Sequence, residues 1–352
     1  MDPLLQEGFV LPLLRQLRRR QAAASSGTDR LPLIGLNGPV GAGKSTLGRQ
    51  LEALAPHFGL RLQVVSIDDL YLTWPERGER LAGNPFNVTR VPPGSHDLPL
   101  LLEAVTRWRQ SGILRLPRFD KTLAAGQGDR SDWREQACDA VVLEGWLMGC
   151  RPLSDTCLAA AIEAADPWKG LPDDPARGPL QRLGRERGEP PLRPEEWRWV
   201  PRWNQELGHY LPLWQACDGL WLLRPLHWGL PRRWRFQAEA RQRRSGGGWL
   251  PPADLDGLVR ASLCSLPPAL YQDPLTQELS GAAVGAAALS PERATLTGEK
   301  LWDVNQNCGL PKGLGQDGSG GSVQAVAWLD GRRRCRSVWR QASLSESSSA
   351  TG

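Results

Sequence analysis

The chain has 352 residues, a formal net charge of +5 and a hydrophobic content of 40%, which suits one large α/β domain or two ordinary ones. No apolar run approaches the roughly 18 residues that a membrane helix needs, so we expect no membrane partner. Most basic residues are arginine, but no nucleic-acid recognition motif accompanies them, and we expect no nucleic-acid partner. The seven cysteines form no CxxC pair that would indicate zinc.

The first predicted element is an amphipathic helix, which together with a linker occupies residues 1–30. Its leucines are followed by the cluster Arg18-Arg19-Arg20, whereas Asp2 and Glu7 come first. A secretory signal would place positive charge before its apolar core, and organelle transit peptides are poor in acidic residues. We therefore expect a helix that packs on a cytoplasmic protein, with the chloroplast as the alternative for a plant source.

A phosphate loop follows a short apolar run of strand length, Leu31–Leu36. The segment GPVGAGKS satisfies the pattern GxxxxGK[ST], and leucines recur at helical spacing behind it. Glycines let backbone N–H groups face a phosphate, and the helix that follows adds its positive end. A chance glycine-rich turn is the alternative, but strand, loop and helix stand in the required order. The predicted nucleotide-binding residues are Gly38, Gly41, Ala42, Gly43, Lys44, Ser45 and Thr46, with Lys44 at the β- and γ-phosphates and Ser45 on magnesium.

Two further apolar runs end in carboxylates. The predicted strand 60–67 ends in Asp68-Asp69, and the run Ala140–Leu143 ends in Glu144. Strand ends of a parallel sheet meet at the ligand-binding edge. There Asp68 could accept the proton of an attacking hydroxyl, Asp69 could do the same or bind magnesium, and Glu144 could orient Mg²⁺. The alternatives are a helix N-cap pair for the aspartates and a turn for Glu144.

Short buried strands that alternate with helices predict an α/β fold, a P-loop NTPase three-layer sandwich with a mostly parallel central sheet. GTPase and transporter ATPase signatures are missing from the sequence. Residues 74–96 are rich in Pro, Gly and Asn and are predicted to form an active-site loop. Ile113–Leu116 is predicted to be a short strand. The remaining predictions divide the chain into a P-loop kinase domain at 31–275 with a surface excursion at 166–201, an insertion or flexible segment at 276–321, a last strand at 322–342, and a disordered tail at 343–352.

Six short motifs occur in an order that resembles the D-glycerate 3-kinase family, relatives of uridine kinase and phosphoribulokinase. They are the phosphate loop, Ser66–Tyr71, Gly94–Leu98, Pro117–Lys121, Gly128–Arg130 and Leu143–Trp146. The resemblance covers about residues 31–150 and continues more loosely to Tyr271. It implies phosphorylation of D-glycerate to 3-phosphoglycerate by ATP and Mg²⁺, the closing step of photorespiration.

The resemblance also implies residue roles. The implied catalytic residues are Lys44, Asp68, Glu144 and Arg130, and the implied metal-binding residues are Ser45 and Glu144. The implied substrate-binding residues are Asp68, Tyr71, His96, Arg118, Lys121 and Arg130. Cations suit the carboxylate of glycerate, and arginine binds carboxylates in a bidentate way. Without the family motifs, His96 could be a polar residue that caps the helix beginning near Leu98, and Arg130 could pair with Asp129 or Asp132.

Some alternatives remain open. The arginines at 232, 233 and 235 lie on a predicted helix that is either a lid over the nucleotide or a solvated basic face. The acceptor could also be another small molecule, such as a nucleoside or pantothenate. In a different class, the chain could be a nucleotide-dependent nucleic-acid-binding protein. The sequence leaves the oligomeric state unspecified.

Overall fold

A computed structural model describes residues 1–164, 188–246, 250–277 and 321–341 of the chain. The tail predicted at 343–352 lies outside the described residues, as do most of the predicted excursion at 166–201 and nearly all of the segment predicted at 276–321.

A six-stranded sheet forms the centre of the fold. Its strands are β1 (Leu33–Asn37), β2 (Leu62–Ser66), β5 (Ala140–Gly145), β6 (Gly219–Pro225), β7 (Val323–Leu329) and β8 (Cys335–Arg340). They lie in the order β2-β5-β1-β6-β7-β8. The pairs β2/β5, β5/β1, β1/β6 and β6/β7 are parallel, and β8 is antiparallel to β7. The predicted mostly parallel sheet is therefore correct.

Helices cover both faces of this sheet, because alternate residues of its buried strands point to opposite sides. In β5, Val141 and Leu143 enter one apolar cluster, whereas Ala140 and Val142 enter the other. The helices are α1 (Leu11–Ser25), α2 (Lys44–Leu54), α3 (Trp74–Arg80), α4 (Leu98–Ser111), α5 (Asp155–Ala164), α6 (Pro194–Trp197), α7 (Val200–Gly208), α8 (Leu211–Ala216), α9 (Leu230–Arg244), α10 (Pro252–Cys264), α11 (Pro268–Tyr271) and α12 (Pro274–Gln277). The architecture is the three-layer sandwich of P-loop NTPases.

The N-terminal helix packs on the sheet. A short helix Pro3–Leu5 and a π-helical stretch Gln6–Val10 lead into α1. Phe9 and Leu13 are fully buried in the cluster that holds Trp221 of β6, and the rings of Phe9 and Trp221 meet edge to face at 4.8 Å. Among the described residues, no helix combines the length and the apolar character needed to cross a bilayer.

A separate hairpin lies beside the central sheet. Strands β3 (Ile113–Asp120) and β4 (Asp129–Ala137) pair antiparallel, with an irregularity between Pro117 and Phe119. The sequence predicted a short strand only at Ile113–Leu116. Most residues of β4 are exposed, so this strand shows none of the apolar alternation by which strands are identified.

Two other segments differ from their predictions. The predicted loop 74–96 contains the helix α3, which a capping box between Thr73 and Glu76 begins. The last strand predicted within 322–342 is present as β7, but a turn at Asp330–Arg334 joins it to a second, antiparallel strand, β8.

Candidate active site

The phosphate loop joins the carboxyl end of the central strand β1 to the first turn of α2. Gly41 and Gly43 have φ values of +78° and +97°, a left-handed backbone that glycine adopts without strain. The amide of Ala42 donates to the carbonyl of Pro39, and that of Gly38 donates to Gly145. Lys44 begins α2 and its Nζ lies 2.8 Å from the carbonyl oxygen of Gly38. The loop thus has the strand, turn and helix that phosphate binding needs.

Three predicted residues meet next to this loop. Ser45 Oγ donates to Glu144 Oε1 at 3.1 Å, and Lys44 Nζ lies 3.8 Å from Glu144 Oε2. Glu144 is buried at the end of β5. Its burial raises the pKa, against the lowering effect of Lys44 and of the Ser45 hydrogen bond. Thr46, also predicted here, is exposed at the start of α2.

The donor set of Ser45 and Glu144 fits a magnesium ion. Both supply oxygen, and Mg²⁺ usually takes one or two carboxylates together with waters and substrate phosphates rather than a full protein cage. The described part of the chain contains no cluster of three or more His, Cys, Asp or Glu residues that could hold a metal.

Asp68 lies in the 3₁₀ turn Ile67–Leu70 that follows β2. Its Oδ1 accepts a hydrogen bond from the Tyr71 hydroxyl at 2.8 Å and lies 3.7 Å from His96 Nε2. Desolvation in the cleft raises the pKa of Asp68, but the influence of His96, Lys121 and Tyr71 outweighs it and brings the pKa well below the usual range. Asp68 is therefore an ionised carboxylate, and its side chain is 39% exposed.

His96 is fixed on the side of Asp68 that faces the protein interior. The backbones of Tyr71 and His96 form an isolated antiparallel bridge, and the two rings stack at 4.7 Å. His96 Nδ1 lies 2.7 Å from the Tyr210 hydroxyl. The helix-capping role considered for His96 belongs instead to Asp97, which accepts from the amide of Leu100.

Asp69 lines a cavity of about 220 Å³ between β2 and the β3–β4 hairpin. Arg118, Arg134 and Gln63 also line it. Desolvation and the neighbouring charge of Asp68 raise the pKa of Asp69 to about 6, although Lys121 and Arg118 act in the opposite direction. The surroundings of the two adjacent aspartates thus lower the pKa of Asp68 and raise the pKa of Asp69.

The predicted cations lie around these carboxylates in different ways. Arg118 and Lys121 are exposed on the hairpin, where their charges act on Asp69. Arg130 instead donates from Nη2 to Asp97 Oδ2 at 2.7 Å and from Nε to the Tyr71 carbonyl at 2.8 Å. The side chain of Arg130 thus forms its ion pair with Asp97, the residue that caps α4, and not with Asp129 or Asp132 as considered from the sequence.

The basic helix α9 packs directly against the phosphate loop. A Cβ on Gly41 would come within 2.8 Å of Trp234 Cβ and of the Arg235 amide. Arg232 pairs with Asp256 at 2.8 Å and Arg235 with Glu239 at 2.7 Å.

Other contacts of the site were not found from the sequence. Arg333, in the β7–β8 turn, donates to the Gly41 carbonyl at 3.2 Å. Arg224 is buried and donates to the side chain of Asn37, the residue before the loop, at 2.9 Å. Tyr210 contacts His96 across 114 positions of sequence. Residues so far apart in the chain leave no local pattern in a single sequence by which their pairing could be predicted.

The chain resembles known kinases over part of its length. It is 34% identical over 165 residues to the chloroplastic D-glycerate 3-kinase of Arabidopsis thaliana. The aligned region covers 43% of this chain and 35% of that protein. It is 29% identical over 219 residues to an uncharacterized kinase of Schizosaccharomyces pombe, covering 59% and 69% of the two chains. The chain thus spans about a third of the plant relative. No protein-family model matches it.

A solved structure shares the fold. The D-glycerate 3-kinase from Cryptococcus neoformans superposes with a TM-score of 0.64 at 23% identity, over 94% of this chain and 99% of that one. The chain is thus homologous to D-glycerate 3-kinase in sequence and has the fold of the P-loop kinases.

Proposed function

We propose that this homologue of D-glycerate 3-kinase transfers the γ-phosphoryl group of ATP to D-glycerate, forming 3-phosphoglycerate and ADP. The observation that carries the proposal is the ionised carboxylate of Asp68, placed one strand away from the Glu144–Ser45 pair of the phosphate loop. A P-loop with a carboxylate beside it is the arrangement needed to transfer a phosphoryl group to a hydroxyl.

The nucleotide side of the reaction depends on the phosphate loop. Backbone N–H groups at the start of α2, together with the positive end of that helix, would bind the β- and γ-phosphates. Lys44 neutralises the charge that develops on the transferred group. Ser45 and Glu144 would hold Mg²⁺, which supplies charge neutralisation to the phosphates when bound.

On the acceptor side, the hydroxyl oxygen of glycerate attacks the γ-phosphorus. The bond between that phosphorus and the β,γ-bridging oxygen breaks, and ADP leaves. Asp68 receives the proton of the hydroxyl. The carboxylate of glycerate is bound by cations, with Arg118 and Lys121 on the hairpin as candidates. His96, also expected from the resemblance to bind the substrate, is buried beneath Asp68. Arg130 acts on the site through its bonds to Asp97 and the Tyr71 carbonyl.

An acceptor panel tests this proposal. The full chain is incubated with ATP, Mg²⁺ and either D-glycerate, L-glycerate, uridine or pantothenate, and ADP release is followed. The phosphorylated product is then identified by NMR. We expect turnover with D-glycerate and a phosphate on the 3-hydroxyl.

Turnover with only uridine or only pantothenate would contradict the proposal and identify that compound as the acceptor instead of glycerate. A phosphate on the 2-hydroxyl would contradict the proposed product. Salt-dependent RNA binding without phosphorylation of any acceptor would instead support a nucleic-acid-binding protein.

A further inference from the structure

The two ring nitrogens of His96 face different groups. Nδ1 is 2.7 Å from the hydroxyl oxygen of Tyr210, and Nε2 is 3.7 Å from Oδ1 of Asp68. The His96 side chain is fully buried, and within the described chain its Nε2 has no hydrogen-bond partner. The position of the imidazole proton therefore decides whether Asp68 faces a donor or a lone pair.

The hydroxyl of Tyr210 determines where that proton lies. The backbone N–H of Gly94 donates to this hydroxyl at 3.1 Å. Burial raises the pKa of Tyr210, so the hydroxyl keeps its own proton. Among the described residues, the remaining hydrogen-bond partner of the hydroxyl is His96 Nδ1. The Tyr210 proton is therefore satisfied by donation to the Nδ1 lone pair.

The opposite assignment has two physical costs. A hydrogen on Nδ1 would leave the buried hydroxyl proton of Tyr210 without an acceptor. In neutral imidazole it would also turn the Nε2 lone pair toward the carboxylate of Asp68, where like partial charges repel. Placing the hydrogen on Nε2 removes both conflicts.

We propose that Tyr210 is a positioning residue that holds His96 as the Nε2–H tautomer, with this N–H directed at the carboxylate of Asp68. The inference rests on the proposed function for the role of Asp68 as the base. An N–H rather than a lone pair beside Oδ1 stabilises the ionised carboxylate that this role requires.

The tautomer can be measured in the free protein. The chain has four histidines, and the ring nitrogens of His96 can be assigned by ¹⁵N NMR from the signals lost in His96→Asn. We expect wild type to carry the proton on Nε2. Tyr210→Phe removes the donor to Nδ1 while it keeps the ring, so the Nε2–H population should fall.

Kinetics on the same variants provide the second measurement. Loss of the hydrogen bond to His96 is expected to lower kcat/KM for D-glycerate roughly tenfold in Tyr210→Phe, with KM for ATP unchanged. The variant also removes the acceptor of the Gly94 amide. Tyr271→Phe is the matched control, because Tyr271 is also buried and its hydroxyl contacts Asn204 at 2.9 Å. This control should leave the His96 signals and kcat/KM at wild-type values.

A proton on Nδ1 in wild type would overturn the proposal. Unchanged His96 signals in Tyr210→Phe would do the same, as would an equal loss of kcat/KM in Tyr210→Phe and Tyr271→Phe. The NMR measurement needs no turnover. Failure of D-glycerate as acceptor would therefore overturn the proposed function without affecting the assignment of the proton.

Discussion

Asp68 and Asp69 are consecutive carboxylates with different surroundings. The first is bonded by Tyr71 and faces His96, whereas the second lines the cavity between β2 and the hairpin. The pKa of Asp68 is lowered and that of Asp69 is raised to about 6. Both were candidates for the base when only the sequence was considered, and their different pKa values make the choice between them testable.

The pH dependence of turnover distinguishes the two aspartates. A base must be deprotonated in the free enzyme, and kcat/KM reports its pKa. With Asp68 as the base, we expect kcat/KM for D-glycerate to show no acid limb near pH 6. A loss of activity centred at about 6, the pKa of Asp69, would assign the base to Asp69 instead.

The raised pKa of Asp69 also predicts how stability changes with pH. Its folded-state pKa of about 6 lies above the ordinary value of 3.8, so the folded state binds more protons between these values. The contribution to stability is present below pH 3.8 and is lost as pH rises through about 6. We expect Asp69→Asn to reduce this loss in urea unfolding measured across the same window. If the free energy of unfolding of Asp69→Asn changed with pH as steeply as that of wild type, Asp69 would be excluded as the source of the loss.

Sequence motifs located many of the residues at this scale but not their partners. Asp68 and Glu144 could be found because each directly follows an apolar strand. His96 was found from a short motif, but its partner Tyr210 is far away in sequence. The pairing of Arg130 with Asp97 was likewise unpredictable, because it depends on how the hairpin meets the start of α4.

At the scale of elements, the phosphate loop is held between α9 and the β7–β8 turn. Gly41 contacts Trp234 and Arg235 so closely that a side chain would clash. Arg333 donates to the carbonyl of Gly41, and Trp234 Nε1 donates to the carbonyl of Gly331 at 3.1 Å. Two distant parts of the chain thus help to fix the loop backbone.

This arrangement predicts a specific effect on the nucleotide. Arg333→Ala removes one hydrogen bond to the loop, worth about 1 kcal/mol, and should raise KM for ATP several-fold. KM for D-glycerate should stay the same. Arg334→Ala is the control, because Arg334 is an exposed neighbour in the same turn. Equal effects of the two substitutions in steady-state kinetics would show that only the net charge of the turn matters.

Strands buried on both faces were readily found in the sequence, since β5 and β6 each contain a continuous run of four apolar residues. Elements with little apolar surface were not found. Strand β4 is mostly exposed, and α3 has only seven residues with Gly78 in its interior. The capping pair of Thr73 and Glu76 was the one local signal that could have located α3.

Across the whole molecule, the N-terminal helix is part of the core rather than an attachment to it. Phe9, Leu13 and Leu17 are fully buried with Trp221 and Ala325 of the sheet. Gly8 lies so close that a Cβ there would be 3.0 Å from Val338 Cγ2 of β8. The helix therefore covers one face of the sheet over several strands.

Unfolding experiments can test this packing. Leu13→Ala deletes a fully buried side chain and should lower the free energy of unfolding by about 2–5 kcal/mol. Leu4→Ala is the matched control, because Leu4 is 44% exposed and should change that energy by less than about 0.5 kcal/mol. Similar urea midpoints for the two variants would contradict the buried position of the helix.

The most direct test of the proposed reaction is the turnover of D-glycerate by Asp68→Asn, with ATP affinity measured on the same sample. Removing a general base should lower kcat by about 10²- to 10⁴-fold. ATP should bind as in wild type, because the phosphate loop is unchanged. Asp132→Asn, at an exposed aspartate of the hairpin, should keep wild-type turnover. Wild-type turnover by Asp68→Asn would contradict the role of Asp68 as the base.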